Sequence, residues 1–237
     1  SFKKIKVLLV LLLLFFFLFT FFNIYKYLNF NPQPIHSELK INDSNKNITI
    51  LFIGLDDRVK EYSFADLLVL MDIDQNKNIA KLYTINPLYL SGTNTGYNLR
   101  TEWNANKTDP AKYLEVIGNL LAIKVDNYIV FNKSSAEDTI SDFNNSFAVN
   151  ETYSLDNKTI DRGNRILLTE ALDLSVGNPK KNRDLLSFQQ LFLKSLLQSI
   201  GNKVNLYKTF INPELFLSTF KSGLPKNEFI TLLLNLG

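Results

Sequence analysis

Two short runs carry the residues best suited to chemistry. Asp56-Asp57-Arg58 closes one apolar stretch, and Phe64-Ala65-Asp66 opens the next. Carboxylates grouped in this way can hold a divalent cation, and a guanidinium beside them can bind oxyanions in bidentate fashion. Arg100, in a polar stretch near Trp103, and Arg183, beside Asp184, are further candidates for a phosphate contact. Gln189 and Gln190 follow on the same apolar-periodic segment as Arg183. Carboxylates after strands also serve as turn and cap residues, and exposed arginines as solvated charges, so spacing alone leaves both roles open.

Other chemistries are excluded or unsupported. The chain has no cysteine, which removes disulfides, thiolate metal sites and a cysteine nucleophile. His36 is the single histidine. It sits in a stretch rich in Pro and Asn without a catalytic partner near it in sequence, and reads as a solvated residue. Formal net charge is +3; the first 26 residues contribute +4, so the remainder carries −1. That near-neutral balance gives no electrostatic footing for nucleic acid.

The elements that must position these residues are legible from apolar periodicity. Asn47–Leu55, with Gly54 near its end, reads as a buried strand. Leu67–Ile73 and Ile79–Ile85 read as two more, joined through Asp74-Gln75-Asn76-Lys77-Asn78 as a hairpin. Ser91–Lys107 is rich in Gly, Asn and Thr and is predicted to be a long loop holding Arg100 and Trp103. Pro110 opens a helix over Ala111–Ala122, and Val125–Phe131 is a further strand. Ser134–Phe143 is predicted as a helix capped by Ser134 or Ser135, with Glu137 and Asp138 in its first turn. Thr169–Leu174 is a short helix. Asn182–Ile200 is a long one, with Leu185, Phe188, Phe192, Leu196 and Ile200 on one face and Gly201 as its stop. Two short helices, Pro213–Phe220 and Lys226–Leu234, are expected around Gly223-Leu224-Pro225. The class is α/β, with a central mixed β-sheet flanked by helices.

Residues 1–28 form a separate unit. Lys3, Lys4 and Lys6 precede an apolar run from Val7 to Phe22, and Tyr25 and Tyr27 follow it. As a helix the run is about 24 Å long, near the roughly 30 Å of a hydrocarbon core. No small-x-small cleavage pattern follows it, so it reads as a single-pass anchor rather than a removed signal. The lysines place the N-terminus inside a cytoplasmic membrane and the domain outside. Residues 29–46 read as a linker, and 47–237 as the extracytoplasmic domain.

The order of these features resembles the LytR-CpsA-Psr family. The resemblance rests on the anchor, Ile53-Gly54-Leu55-Asp56-Asp57-Arg58, and Phe64-Ala65-Asp66. It continues in the hairpin returning as Lys81-Leu82-Tyr83-Thr84-Ile85, and in Gln189-Gln190 after an Ala171-Leu172 helix. It covers residues 48–237. It implies transfer of a glycopolymer phosphate from a polyprenyl-pyrophosphate carrier to the cell wall or an acceptor protein. In that reading Asp56 and Asp66 hold Mg²⁺, Asp56 and Arg58 are catalytic, and Arg58, Arg100, Arg183 and Gln189 contact the pyrophosphate. An apolar tunnel for the carrier would be lined by Phe188, Phe192 and Leu196, although such a stripe is more often plain core. The chain also departs from the family pattern. A Ser-Ile-Pro-Arg-Asp segment reads Thr84-Ile85-Asn86-Pro87-Leu88, and a doubled glycine reads Asn144-Asn145-Ser146. Expected arginines fall on Val176, Asn178, Leu185 and Phe188, with Arg162, Arg165 and Arg183 as candidates to compensate. Each charged hydrogen bond lost removes about 1.5–3 kcal/mol of anion binding. The departures keep a second expectation open, a catalytically inactive member that binds lipid or an envelope partner. An unrelated anchored binding domain is a third.

Overall fold

The computed structural model describes residues 47–202, apart from 59–62, 75–76, 78, 93–95, 144, 156–157 and 177–182, together with 205, 218–225 and 232. The expected anchor, the linker with His36, and nearly all of the two C-terminal helices lie outside the described residues. No described helix is long and apolar enough to cross a membrane.

A five-stranded sheet forms the centre. It contains β1 (Asn47–Asp56), β2 (Phe64–Asp74), β3 (Ile79–Thr84), β4 (Asn127–Asn132) and β9 (Phe220–Ser222), in the order β3-β2-β1-β4-β9. β1 pairs antiparallel with β2 and parallel with β4, so the sheet is mixed, as expected. Helices α1 (Leu99–Asn106) and α2 (Pro110–Leu121) make the crossover between β3 and β4. Helices α3 (Lys133–Phe143), α4 (Leu168–Ser175) and α5 (Arg183–Gly201) follow β4. Between α3 and α4 lie two small ladders that the sequence reading did not anticipate. One pairs β5 (Ser146–Ala148) with β8 (Arg165–Leu167), and the other pairs β6 (Tyr153–Leu155) with β7 (Lys158–Ile160).

The two-residue period of a strand sorts the core into two layers. Ile50, Phe52, Leu67, Val69, Met71, Ile129 and Phe131 pack with α3, α4 and α5. Leu51, Ile53, Leu55, Leu68, Leu70 and Val130 pack on the other face with Leu99, Trp103, Tyr113 and Ile117 of α1 and α2. Burial on both faces explains why these strands read as continuous apolar runs.

The parity breaks once. Ala65 lies on the same face as Leu68 and Leu70, not with Leu67. The register explains it: Gly54 faces Leu67 and Leu55 faces Ala65, so Asp66 is the extra residue of a β-bulge. Gly54 is required there. A Cβ would lie 2.9 Å from the Phe131 ring and 3.0 Å from the Leu67 Cβ.

Three expectations are corrected. Ser91–Lys107 is not a loop throughout, because Leu99–Asn106 is helical. Asn98 caps it, its side chain accepting from the Thr101 amide, and Leu99 and Trp103 bury one turn apart. The helix predicted from Ser134 starts at Lys133, directly after β4, and Glu137 and Asp138 fall outside its first turn. Its cap comes from another element: the Ser134 amide and hydroxyl donate to the Asp57 carboxylate. Phe220 is not a helix end but the first residue of β9, paired with Phe131.

Gly54→Ala is expected to lower unfolding stability by about 1–3 kcal/mol, because the added methyl must displace a fully buried ring. Urea titration checks this; stability equal to the parent would mean that Phe131 has room to yield.

Candidate functional site

β1 and β4 run parallel and finish side by side, with Leu55 opposite Asn132. Their next residues, Asp56 and Lys133, therefore stand together at the carboxyl ends, where open α/β sheets place ligands. The bulge adds Asp66 from β2, and α1 brings Arg100 across from the other layer.

Arg58 forks onto Asp56. Its Nε donates to Oδ1 at 2.7 Å and its Nη2 to Oδ2 at 2.6 Å. The Asp56 carboxylate is nearly buried, whereas the Arg58 side chain is 57% exposed. Hydrogen bonding from Arg58 holds Asp56 below the usual carboxylate range despite its burial, and the charge of Lys133 acts in the same direction.

Asp66 is fully buried. Its Oδ1 accepts from Arg100 Nε, and the Arg100 guanidinium also lies 4.0 Å over the Phe64 ring. Burial pushes Asp66 above the ordinary value, with Arg100 opposing and the charge of Asp56 adding to the rise. Gln189, fully buried on α5, donates through one nitrogen to two backbone carbonyls, that of Asp66 at 3.0 Å and that of Ser175 at 2.7 Å. Gln189 thus satisfies the carbonyl of the bulged residue.

Among the described residues, three polar atoms in this knot have no hydrogen-bond partner: Asp66 Oδ2, Gln189 Oε1 and Ser175 Oγ. Each unmet buried group costs about 1–3 kcal/mol. Buried polar groups without partners are rare enough that three around one glutamine call for an explanation.

The structure therefore brings together Asp56, Arg58, Asp66, Arg100 and Gln189 of the residues expected from sequence. Arg183 is different. It is exposed at the start of α5, and no hydrogen bond or ion pair joins it to the cluster among the described residues. Arg165 binds Ser146 on the β5–β8 ladder, and the Arg162 amide binds Thr152. Neither joins the cluster among the described residues. Of the positions where family arginines were expected, Val176, Leu185 and Phe188 are buried core, and Asn178 lies outside the described residues. Phe192 and Leu196 are buried as well, and the cavity where Leu196 meets Phe52, Ile129 and Phe131 has only about 10 Å³ of space. This apolar stripe is packed interior rather than an open tunnel. A groove of about 490 Å³ does lie between β3 and α5, lined by Leu82, Tyr153, Gln190, Leu191 and Lys194 among others.

Sequence reasoning missed Lys133, Ser175 and Asp173. Lys133 is buried, donates to the Val176 carbonyl at 3.2 Å and lies 2.5 Å from Asp173 Oδ1. A lysine ending an apolar strand was the available signal.

The donor set suits a hard cation. Among the described residues no group of three or more His, Cys, Asp or Glu is placed to hold a metal. Mg²⁺ is commonly held by one or two carboxylates together with substrate phosphate and water, not by an all-protein cage. Asp66 Oδ2 is available for that, whereas both oxygens of Asp56 are taken by Arg58.

Arg100→Met tests the central pair. Because the folded pKa of Asp66 is raised above 3.8, stability falls as pH climbs from that value through the raised one. Removing Arg100 raises Asp66 further. The variant should be about 3 kcal/mol less stable near neutrality. The deficit should vanish in acid, where Asp66 is protonated in both folded and unfolded chains. Urea unfolding across pH reads this, and a deficit independent of pH would contradict it.

No family model matches the chain, and no curated protein matches it. Solved structures do. TagV of B. subtilis is similar at TM-score 0.59 and 20% identity, over 81% of this chain and 79% of that one. TagT bound to LI-WTA is similar at TM-score 0.59 and 17% identity, over 86% and 81%. TagU of B. subtilis gives TM-score 0.55 at 18% identity, over 81% and 80%. The likeness is one of fold, and it agrees with the mixed sheet and the flanking helices: this chain carries the LytR-CpsA-Psr-like fold of the TagT, TagU and TagV structures.

Proposed function

We propose that this chain is a divergent LytR-CpsA-Psr-type protein that handles the pyrophosphate of a polyprenyl-linked glycopolymer at the cell envelope. One observation carries the reading. Two carboxylates and two guanidiniums converge at the ends of β1 and β2 around buried oxygens that lack partners. The fold likeness to a TagT structure bound to LI-WTA supports the class of ligand. The apolar run of residues 7–22 supports a single-pass anchor with the domain outside the cytoplasmic membrane.

Each residue has a part in transfer. Arg58 stands half in solvent and can turn its free edge to a phosphate oxygen while Asp56 steadies it. Arg100 lies flat over Phe64, with Asp66 fixing its orientation. Guanidiniums held this way stabilise charge gathering on a transferring phosphoryl group without reorganising. A hydroxyl of the acceptor attacks the glycan-side phosphorus. The bond from that phosphorus to the bridging oxygen breaks, and polyprenyl phosphate leaves with the bridging oxygen. Asp66, with Asp56 beside it, would hold Mg²⁺, and the ion would supply charge neutralisation of the pyrophosphate. Ser175 and Gln189 supply neutral oxygens beside it.

The apolar, buried side chains at Val176, Leu185 and Phe188, where the resemblance leads one to expect arginines, favour a second reading. In it the same site holds the anionic glycopolymer without transferring it. The full chain in lipid nanodiscs separates the two when given a polyprenyl-pyrophosphate glycan and a wall acceptor. Mg²⁺-dependent release of polyprenyl phosphate, lost in Asp56→Ala, supports transfer; Mg²⁺-dependent binding without release supports the binder. Neither binding nor release would overturn both.

The raised pKa of Asp66 adds a pH signature. Protons and Mg²⁺ compete for its free oxygen, so Mg²⁺ affinity should begin to fall on acidification above the ordinary carboxylate value of 3.8. Asp66→Asn should remove both the affinity and its pH dependence. Calorimetric titration of MgCl₂ in the presence of inorganic pyrophosphate is the measurement, and a midpoint at or below the ordinary value would contradict the assignment.

A further inference from the structure

Lys133 is an expensive residue to keep where it is. Its ammonium is buried, and moving such a group out of water costs several kcal/mol unless it is well paired. It is also the first residue of an eleven-residue helix, where the macrodipole disfavours a cation by about 0.3–1 kcal/mol. Its ion-pair partner, Asp173, is 58% exposed and solvated, so it returns little of that cost. An ammonium has three donors. Two are directed at the Val176 carbonyl and Asp173 Oδ1, and no third partner is present among the described residues.

The surroundings say what the charge is for. Lys133 is close enough to Asp56 to lower its pKa. Through the Val176 carbonyl it sits one residue from Ser175, whose hydroxyl has no partner among the described residues. The Val176 side chain is apolar core, so Lys133 is the cation that reaches this stretch of backbone from the end of β4.

We propose that Lys133 is a phosphate-oxygen ligand of this site, bringing a positive charge to it from the end of β4. Asp173 is its resting counter-ion, displaced when a pyrophosphate oxygen takes the ammonium. The proposal rests on the site being an anion site, and it adds the residue that meets the anion on the inner side, opposite the exposed Arg58.

The test is binding of inorganic pyrophosphate with Mg²⁺ to the full chain by calorimetry, alongside thermal unfolding without ligand. Lys133→Met should weaken pyrophosphate binding roughly tenfold or more, the worth of one hydrogen bond to a charged group. It should leave the melting temperature level or raised, since an apolar side chain of similar length suits a buried slot. Asp173→Asn should tighten binding by freeing the ammonium, and that gain should shrink in the Lys133→Met background. A purely structural lysine gives the opposite pattern: both single variants melt earlier and pyrophosphate affinity stays at the parent value. That pattern would overturn the proposal. The parent protein isolates the wider reading, because if it does not bind Mg²⁺–pyrophosphate at all, the anion site itself fails. Binding by the parent with no loss in Lys133→Met fails Lys133 alone.

Discussion

A carboxylate with no solvent exposure, placed at the one irregularity in the central sheet, organises this molecule. Asp66 is the unpaired residue of the β1–β2 bulge. Its side chain must find a cation, and its carbonyl must find a donor, because neither has a ladder partner nor water. Arg100 answers the first need and Gln189 the second. Those two residues come from opposite layers, α1 on one face of the sheet and α5 on the other. A single bulge thus ties both helical layers to the strand ends. It also explains why the site is polar to its floor while the sheet a few residues away is apolar on both sides.

Much of this fold was readable from periodicity. Asn47–Leu55, Leu67–Ile73 and Ile79–Ile85 carry uninterrupted apolar or alternating patterns, and the strands formed with ends shifted by a few residues at most. The long α5 was as clear. The failures have physical causes. Leu99–Asn106 hid because Asn98 and its neighbours have loop composition; an N-cap and two apolar residues one turn apart outweighed it. The helix after β4 was placed one residue late because its cap is Asp57, far away in sequence, and the serines that looked like caps lie inside it. Small ladders such as β5–β8, three residues per strand, are too short to leave a period.

The candidate site was legible in part and for a different reason. Asp56, Arg58 and Asp66 stand next to strands, so their convergence follows once the strands pair. Arg100 was singled out as a polar-loop arginine, but the helix that aims it was not seen. Arg183, beside an acidic neighbour at a helix start, stayed on the surface. Lys133 and Ser175 drew no notice, since a lysine after a strand and a serine after a helix are ordinary in sequence. Only the three-dimensional path of β4 and α4 brings Lys133 to the backbone beside Ser175. Contacts between residues distant in sequence carry the chemistry here, and single-sequence periodicity is blind to them.

The central strand also has a mechanical meaning. β1 runs from Asn47 at one rim of the sheet to Asp56 at the other, about 30 Å at the usual rise per residue. A tether attached upstream of Asn47 therefore pulls on the rim farthest from the cluster of carboxylates and guanidiniums. Chain entry and candidate site thus occupy opposite rims of the sheet, joined by the single central strand.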